Sequence, residues 1–173
     1  MSFQMMKESL RTAYERNVYN ARMHHFVKDG FTIVSIGDKG PKTPERRRIP
    51  ILSGLSGIGK TASIVEFAGD KGFELIKLDC SYMPSSMFAS IMYDAIERIE
   101  SGQIDGCVLL VDNIDQADSQ WQELLVQYSD DHLDTVLDAK NEKVKTPGKA
   151  QKVRMSVNEV PETLFIVGEQ RPV

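Results

Sequence analysis

A glycine-rich stretch, GLSGIGKT at positions 54–61, has the residue types and the spacing that bind phosphate groups. Glycines adopt backbone conformations that are closed to other residues, so consecutive N–H groups can turn toward phosphate oxygens. A helix that begins at Lys60 adds the positive end of its dipole. We expect Lys60 to reach the β- and γ-phosphates of a nucleotide and the Thr61 hydroxyl to ligate Mg²⁺.

The candidate nucleotide site covers this whole loop and the first residues of the helix after it. It comprises Gly54, Leu55, Ser56, Gly57, Ile58, Gly59, Lys60, Thr61 and Ala62. The alternative is an ordinary glycine turn with a surface lysine. The sequence context favours a phosphate loop, because an apolar strand candidate at 49–54 precedes it and a helical pattern at 61–72 follows it. The sequence therefore predicts binding of ATP or ADP with Mg²⁺.

A second motif, CVLLVD at 107–112, is an apolar run that ends in a carboxylate. We expect Asp112 to hold Mg²⁺ through water, as the second metal ligand beside Thr61. Asn113 follows it, where nucleotide-hydrolysing enzymes often have glutamate. An asparagine can hydrogen-bond a water but cannot accept its proton, and loss of a general base commonly costs about 10²–10⁴-fold in rate. Asp115 is the nearest alternative base, although it also suits a turn or a helix cap.

Strand and helix patterns alternate along the chain and favour a three-layer α/β fold with a central, mainly parallel sheet. Helices are predicted at 3–28, 61–72 and 84–102, with one or two more within 118–140, and strands at 31–37, 49–54, 73–80, 106–112 and 163–168. The polar stretch 141–160 is predicted to be a hairpin or a loop insertion. We expect the ends of the strands at 49–54 and 106–112 to be adjacent, which would bring Thr61 near Asp112.

Composition limits the classes of function. The chain has 173 residues, a formal net charge of -4 and two cysteines. This charge gives no support for a broad nucleic-acid-binding surface, although a local basic patch stays open. No apolar run is long enough to span a bilayer, and the N-terminus has no secretory apolar core. Two unclustered cysteines make no disulfide framework, so we expect a cytoplasmic setting without membrane partners.

These motifs together resemble an AAA+ P-loop ATPase, and within that group the MoxR-type branch most. IPILSGLSGIGKT (49–61) resembles the family's first strand and phosphate loop. VLLVDNIDQADSQWQELLVQYSDD (108–131) resembles its acidic strand and the helix beyond, and 141–160 matches the position of the branch's hairpin. VPETLFIVGEQRP (160–172) resembles the strand that ends at a water-orienting asparagine. The resemblance implies an AAA+-like domain at 31–173, preceded by an N-terminal helix at 1–30.

Three departures from the family pattern bear on activity. Asn113 replaces the glutamate that polarises the attacking water, and Arg171 falls where the resemblance places the water-orienting asparagine. The chain ends at Val173, before the position of the family's helical lid, so a lid domain is expected to be absent. Whether the protein hydrolyses ATP is therefore open.

The expected function is an ATP-binding module that works in a larger assembly, with weak or partner-dependent hydrolysis. Self-association or docking onto a larger ATPase is expected, and the helix at 3–28 either contributes to that contact or packs on its own domain. One alternative is a non-enzymatic interaction or scaffold protein that bound nucleotide stabilises. A second alternative is a P-loop loader that acts on nucleic acid, for which the sequence shows no acceptor site.

Overall fold

A computed structural model describes residues 2–28, 30, 48–55, 57–129, 132–137, 151–156 and 160–171 of the chain. The strand expected at 31–37 and the loop residue Ser56 lie outside these ranges. None of the helices in these ranges combines the length and the hydropathy of a membrane span.

The described elements alternate as the sequence predicts. The helices are α1 (Phe3–Lys28), α2 (Lys60–Lys71), α3 (Ser86–Glu100) and α4 (Ser119–Ser129), and a 3₁₀ turn spans Ile114–Gln116. The strands are β1 (Ile51–Ser53), β2 (Glu74–Asp79), β3 (Cys107–Asp112), β4 (His132–Leu137), β5 (Gln151–Ser156) and β6 (Leu164–Gln170). Four of them form a parallel sheet in the order β1-β6-β3-β2, and β4 and β5 pair separately as an antiparallel hairpin.

The position of β6 corrects one expectation from the sequence. The strands β1 and β3 are not neighbours, because β6 lies between them and pairs with both. Gly168 is in register with Ile51 on one side and with Val111 on the other. Strand order depends on which long-range pairings form, and the local sequence pattern does not specify it. The last described strand of the chain therefore passes between the two motifs that the sequence analysis placed side by side.

The apolar character of β3 follows from burial on both faces of the sheet, as expected for a central parallel strand. Because side chains alternate along a strand, Leu109 and Val111 pack into one core while Val108 and Leu110 pack into the other. The first core contains the inner faces of α3 and α4, and the second contains those of α1 and α2. The predicted three-layer α/β fold is confirmed.

Helix α1 packs on its own domain, one of the two outcomes expected for it. Met6, Leu10 and Tyr14 are buried at intervals of four residues, the spacing of one helix face. The Tyr14 ring contacts Phe67 of α2 edge-on at a centroid distance of 5.9 Å and Phe165 of β6 at 5.3 Å. This apolar face therefore holds α2 and β6 in place from outside the sheet.

The segment after α4 differs from the prediction of one or two helices over 118–140. Helix α4 ends at Ser129, and β4 follows at His132–Leu137. This strand pairs with β5 from His132↔Ser156 to Leu137↔Gln151. The sequence HLDTVL contains the β-branched pair Thr-Val, which favours a strand once a partner is available. Of the hairpin or loop insertion expected at 141–160, only 151–156 and 160 lie within the described residues, where β5 pairs with a strand that begins before the expected segment.

Candidate functional site

The loop between β1 and α2 has the backbone geometry that phosphate binding requires. Gly57 has φ 84° and Gly59 has φ 98°, in the region that side chains disfavour. Gly59 is the N-cap of α2, and no side chain caps this helix end. The amides of the first helical turn therefore stay available to an anion, which the helix dipole also favours.

Lys60 ties this loop to the end of β6. Its ammonium group donates hydrogen bonds to the Gly54 carbonyl oxygen and, at 3.0 Å, to the carbonyl oxygen of Gln170. A Cβ at position 54 would lie 2.5 Å from Cδ1 of Ile58, so the end of that exposed side chain would have to move. Through the Lys60 hydrogen bonds, the loop is folded against the carboxyl ends of the strands, where ligands bind in open parallel sheets.

One cavity of about 310 Å³ lies at this edge of the sheet. It is lined by Gly57, Gly59, Lys60, Thr61, Ala62, Asp112, Asn113, Glu169, Gln170 and Arg171. The structure thus brings both motifs of the sequence analysis to a single cavity. Leu55 and Ile58 are exposed and are not among the lining residues.

Asp112 ends β3 with its carboxylate engaged at both oxygens. Oδ1 accepts a hydrogen bond from the backbone N–H of Asn113 at 2.8 Å. Oδ2 lies 3.1 Å from the ammonium nitrogen of Lys77, which comes from the neighbouring strand β2. The hydrogen bond with Asp112 raises the pKa of Lys77. The ammonium group of Lys77 therefore lies beside the carboxylate that the sequence analysis assigns to Mg²⁺.

Asn113 adopts the left-handed backbone conformation, with φ 57° and ψ 44°. Asparagine tolerates this region better than most residues. Its side-chain amide donates a hydrogen bond of 2.9 Å to Oδ1 of Asp79 at the end of β2. Although Asn113 lines the cavity, its side-chain amide is hydrogen-bonded to the end of β2.

Asp115 and Arg171 meet at the rim of the site. Asp115 lies in the 3₁₀ turn, is exposed, and accepts a hydrogen bond of 3.4 Å from the backbone N–H of Arg171. Asp115 is not among the residues that line the cavity, whereas Arg171 is. The proposed role of Asp115 as a base stays a prediction, and its described contact is with the β6 end instead of the cavity.

Glu169 is a site residue that the sequence analysis missed. It is only 4% exposed, and its Oε2 accepts a hydrogen bond of 3.0 Å from the Thr61 hydroxyl. Its Oε1 is buried and has no hydrogen-bond donor among the described residues. Burial raises the pKa of Glu169, the Thr61 hydrogen bond opposes this shift, and the neighbouring Asp112 carboxyl adds to it.

A signal for Glu169 does exist in the sequence. In LFIVGEQ, the residues Phe165, Val167 and Glu169 recur at every second position, so a strand that continues through Gln170 places all three on one face. The predicted strand ends at Gly168 and does not include Glu169. The β-sheet register also has to be known, because only the position of β6 next to β3 brings Glu169 to Asp112.

The donor set fits a nucleotide with a divalent cation. The glycine loop supplies amide groups and Lys60 supplies a positive charge for phosphate, while Thr61, Asp112 and Glu169 present oxygens, which Mg²⁺ prefers. Among the described residues, no group of three or more His, Cys, Asp or Glu side chains could hold a metal ion. A cation here would therefore need phosphate oxygens and waters to complete its coordination.

Comparison with known proteins identifies the family of this chain. A solved structure similar to the chain is a closed-state cryoEM reconstruction of Hsp104:ATPyS and FITC casein, with a TM-score of 0.42 and 15% sequence identity. The similarity covers 75% of this chain and 22% of that one, so the chain spans about a fifth of its length. No curated protein matches the sequence. The model of the ATPase family associated with various cellular activities (AAA) matches residues 50–161, well over half of the chain, and the protein therefore belongs to the AAA family.

Proposed function

We propose that this chain binds Mg²⁺-ATP and Mg²⁺-ADP in the cavity between the phosphate loop and the ends of β3 and β6. The observation that carries the proposal is the convergence of Lys60, Thr61 and Asp112 on one cavity behind a loop with two left-handed glycines. These three residues come from two distant parts of the sequence. Membership of the AAA family supports a nucleotide-binding ATPase module.

Each group in the cavity has a defined task in this proposal. The loop amides and the α2 N-terminus bind phosphate oxygens, and the Lys60 ammonium exchanges its carbonyl partners for the β- and γ-phosphates. Thr61 Oγ1 and Asp112 would hold the Mg²⁺, with Asp112 acting through water. The metal ion, when bound, neutralises the charge that develops on the phosphate oxygens.

Hydrolysis is proposed to be slow, so that the chain holds ATP for longer than it turns it over. The support is the hydrogen bond from Asn113 to Asp79, which directs the only polar group of residue 113 toward β2. An amide cannot serve as the general base in any case, and loss of such a base commonly costs about 10²–10⁴-fold. Turnover well below about 1 s⁻¹, the lower end of the usual enzyme range, is the expected result.

The role in a larger assembly is also a proposal. Placement in the MoxR-type branch is favoured by the β4–β5 hairpin, which lies between α4 and β6 as the resemblance implies. Sites of AAA+-like proteins usually lie at subunit interfaces, and we propose that Arg171, which is exposed and lines the cavity, contacts a neighbouring subunit. Light scattering with and without ATP tests this part, and a strict monomer without any captured partner would contradict it.

A non-enzymatic scaffold that nucleotide stabilises is the second candidate, and it rests on the same Asn113–Asp79 contact. The two candidates share the nucleotide site and differ in turnover. Steady-state phosphate release by the purified protein, alone and with candidate partner subunits, separates them. Nucleotide-dependent stabilisation without phosphate release in either condition favours the scaffold, whereas partner-dependent release favours the ATPase module.

A further inference from the structure

The Glu169 carboxylate is buried without a full set of partners. Oε2 accepts a hydrogen bond from the Thr61 hydroxyl, with an oxygen–oxygen distance of 3.0 Å. Oε1 has no donor among the described residues. A buried carboxylate oxygen that lacks a hydrogen bond is costly, so a group that completes it is expected on binding of the natural ligand. The residue lines the cavity beside Lys60, Thr61 and Asp112, so a ligand in that cavity can supply the missing donor.

Strand pairing sets Glu169 beside Asp112. The register between β3 and β6 runs to Val111↔Gly168, and the next residue of each strand is Asp112 and Glu169. Both follow apolar residues on the sheet face that packs against α2, since Leu110 and Val167 belong to that core. Glu169 therefore contacts Thr61 at the start of α2, and Asp112 lines the same cavity from the neighbouring strand.

Two carboxylates in the cavity disfavour the binding of a nucleotide without a metal ion. The phosphates of ADP or ATP would enter a cavity that already contains the charges of Asp112 and Glu169, and like charges repel strongly in a partly buried site. Lys60 and Lys77 offset part of this charge. A divalent cation between the carboxylates and the phosphates would turn the repulsion into attraction, so this site depends on metal more strongly than one with Asp112 alone.

We propose that Glu169 is the acceptor that orients the metal ligands of this site: Oε2 holds the Thr61 hydroxyl, and Oε1 accepts a hydrogen bond from a water bound to the Mg²⁺ of the nucleotide. A hydroxyl that donates its proton to Glu169 keeps an oxygen lone pair free for the metal. Mg²⁺ usually keeps several of its waters, whose protons need acceptors. Glu169 acts through Thr61 and water, and it is therefore a positioning residue. This inference rests on the proposed function.

The test measures how far Mg²⁺ tightens nucleotide binding. Calorimetry gives the Kd of ADP in EDTA and in Mg²⁺, and the ratio of the two isolates the contribution of the metal. Loss of an outer-shell partner typically costs about 10–100-fold in metal affinity, so Glu169→Gln should lower this ratio by about that factor. Binding of ADP in EDTA should become tighter, because one negative charge has left the cavity.

Binding of Mn²⁺ in the presence of ADP, followed by its EPR signal, gives a second readout that needs no turnover. The matched control is Glu74→Gln, the same change on β2 at the opposite end of the sheet, where Glu74 pairs with Arg98. That variant should keep the wild-type ratio. If Glu169→Gln does not fold, Glu169→Asp keeps the charge but withdraws the oxygens by one methylene, and the same fall in the ratio is expected.

The outcomes separate this inference from the function on which it rests. An unchanged Mg²⁺ ratio in a folded Glu169→Gln protein overturns the inference and leaves nucleotide binding intact. An equal loss of affinity in EDTA and in Mg²⁺ also overturns it, since that pattern indicates a merely structural role. A wild-type chain that binds ADP in neither condition overturns the proposed function and this inference together.

Discussion

The two sides of the cavity differ in how closely they follow the family pattern. On the phosphate-loop side, Gly54, Gly59, Lys60 and Thr61 match the motif, and the backbone has the expected left-handed glycines. On the carboxylate side, residue 113 is bonded to Asp79, and a glutamate from another strand stands beside Thr61. The phosphate-loop side of the cavity is therefore conventional in its residues and backbone, and the carboxylate side is rearranged.

The largest expected effect is on the conventional side. Lys60→Ala should abolish the rise in melting temperature that ATP with Mg²⁺ produces in the wild-type protein. At a nucleotide concentration of 100 Kd this stabilisation is about 2.7 kcal/mol. Lys71→Ala, at the other end of α2, is the control and should keep the shift, since Lys71 lies over the Tyr14 ring away from the cavity. If ATP with Mg²⁺ raises the melting temperature of Lys60→Ala as much as that of the wild type, the assignment of the nucleotide site is wrong.

The backbone of the loop gives a second, smaller effect. Gly59→Ala forces a side chain into a conformation with φ 98°, and such a position costs roughly 1–2 kcal/mol in the free energy of unfolding. Gly69→Ala is the matched control within the same helix. Its φ is not in the left-handed range and its Cβ would meet nothing within 4 Å, so it should stabilise the protein by about 0.5–1 kcal/mol.

Urea denaturation of the two glycine variants checks the prediction. Opposite signs sharpen the comparison, because they show that the loop glycine is required by its conformation while the helix glycine is not. Equal effects from both substitutions would contradict the geometry described for the phosphate loop.

The sequence predicts the conventional side well because its information is local. The motif, the preceding strand and the following helix lie within about two dozen residues, and each is indicated by its own pattern. The other side depends on strand order. Asp112 was predicted from an apolar run, but Glu169 reaches it only because β6 inserts between β1 and β3. The alternation in LFIVGEQ indicates which face of the strand Glu169 lies on, but the strand that lies next to it depends on packing of the whole core.

The same distinction explains the error beyond α4. A helical pattern over 118–140 was supported by local propensity, and the actual end at Ser129 is set by pairing of β4 with β5. Strand formation depends on a partner more than helix formation does. The fold class, in contrast, follows from the alternation of patterns along the whole chain and was predicted correctly.

A third effect concerns Asn113. The sequence comparison predicts that Asn113→Glu raises turnover by restoring a base, and the structure adds a condition to this prediction. The left-handed backbone aims position 113 at Asp79, so a glutamate would lose the present hydrogen bond and face a carboxylate. The combined loss in stability is expected to be about 1–3 kcal/mol. The single variant should therefore gain little activity.

The double variant Asn113→Glu with Asp79→Asn removes the repulsion and should give the larger rate. Phosphate release and thermal unfolding measured on both variants provide the check, with Asp79→Asn alone as the control. A single Asn113→Glu variant that is as stable as wild type and releases phosphate clearly faster would contradict this. It would show that residue 113 loses its contact with Asp79 at little cost in free energy. The two sides of the cavity would then differ less than the structure indicates.

The smallest effect is expected at Lys77. Its ammonium group lies 3.1 Å from Oδ2 of Asp112, and its side chain is half-exposed, so the ion pair contributes only about 0–1 kcal/mol to stability. Lys77→Met should leave the melting temperature of the nucleotide-free protein nearly unchanged. It should tighten Mn²⁺ binding in the presence of ADP a few-fold, because a positive charge beside a metal-binding carboxylate competes with the metal ion.

Lys71→Met is the control, since it makes the same change of charge away from the cavity. Weaker Mn²⁺ binding in Lys77→Met would mean that Lys77 supports the metal site, for example by holding Asp112 in place, and the carboxylate side would then consist of an acid–base pair instead of two acids.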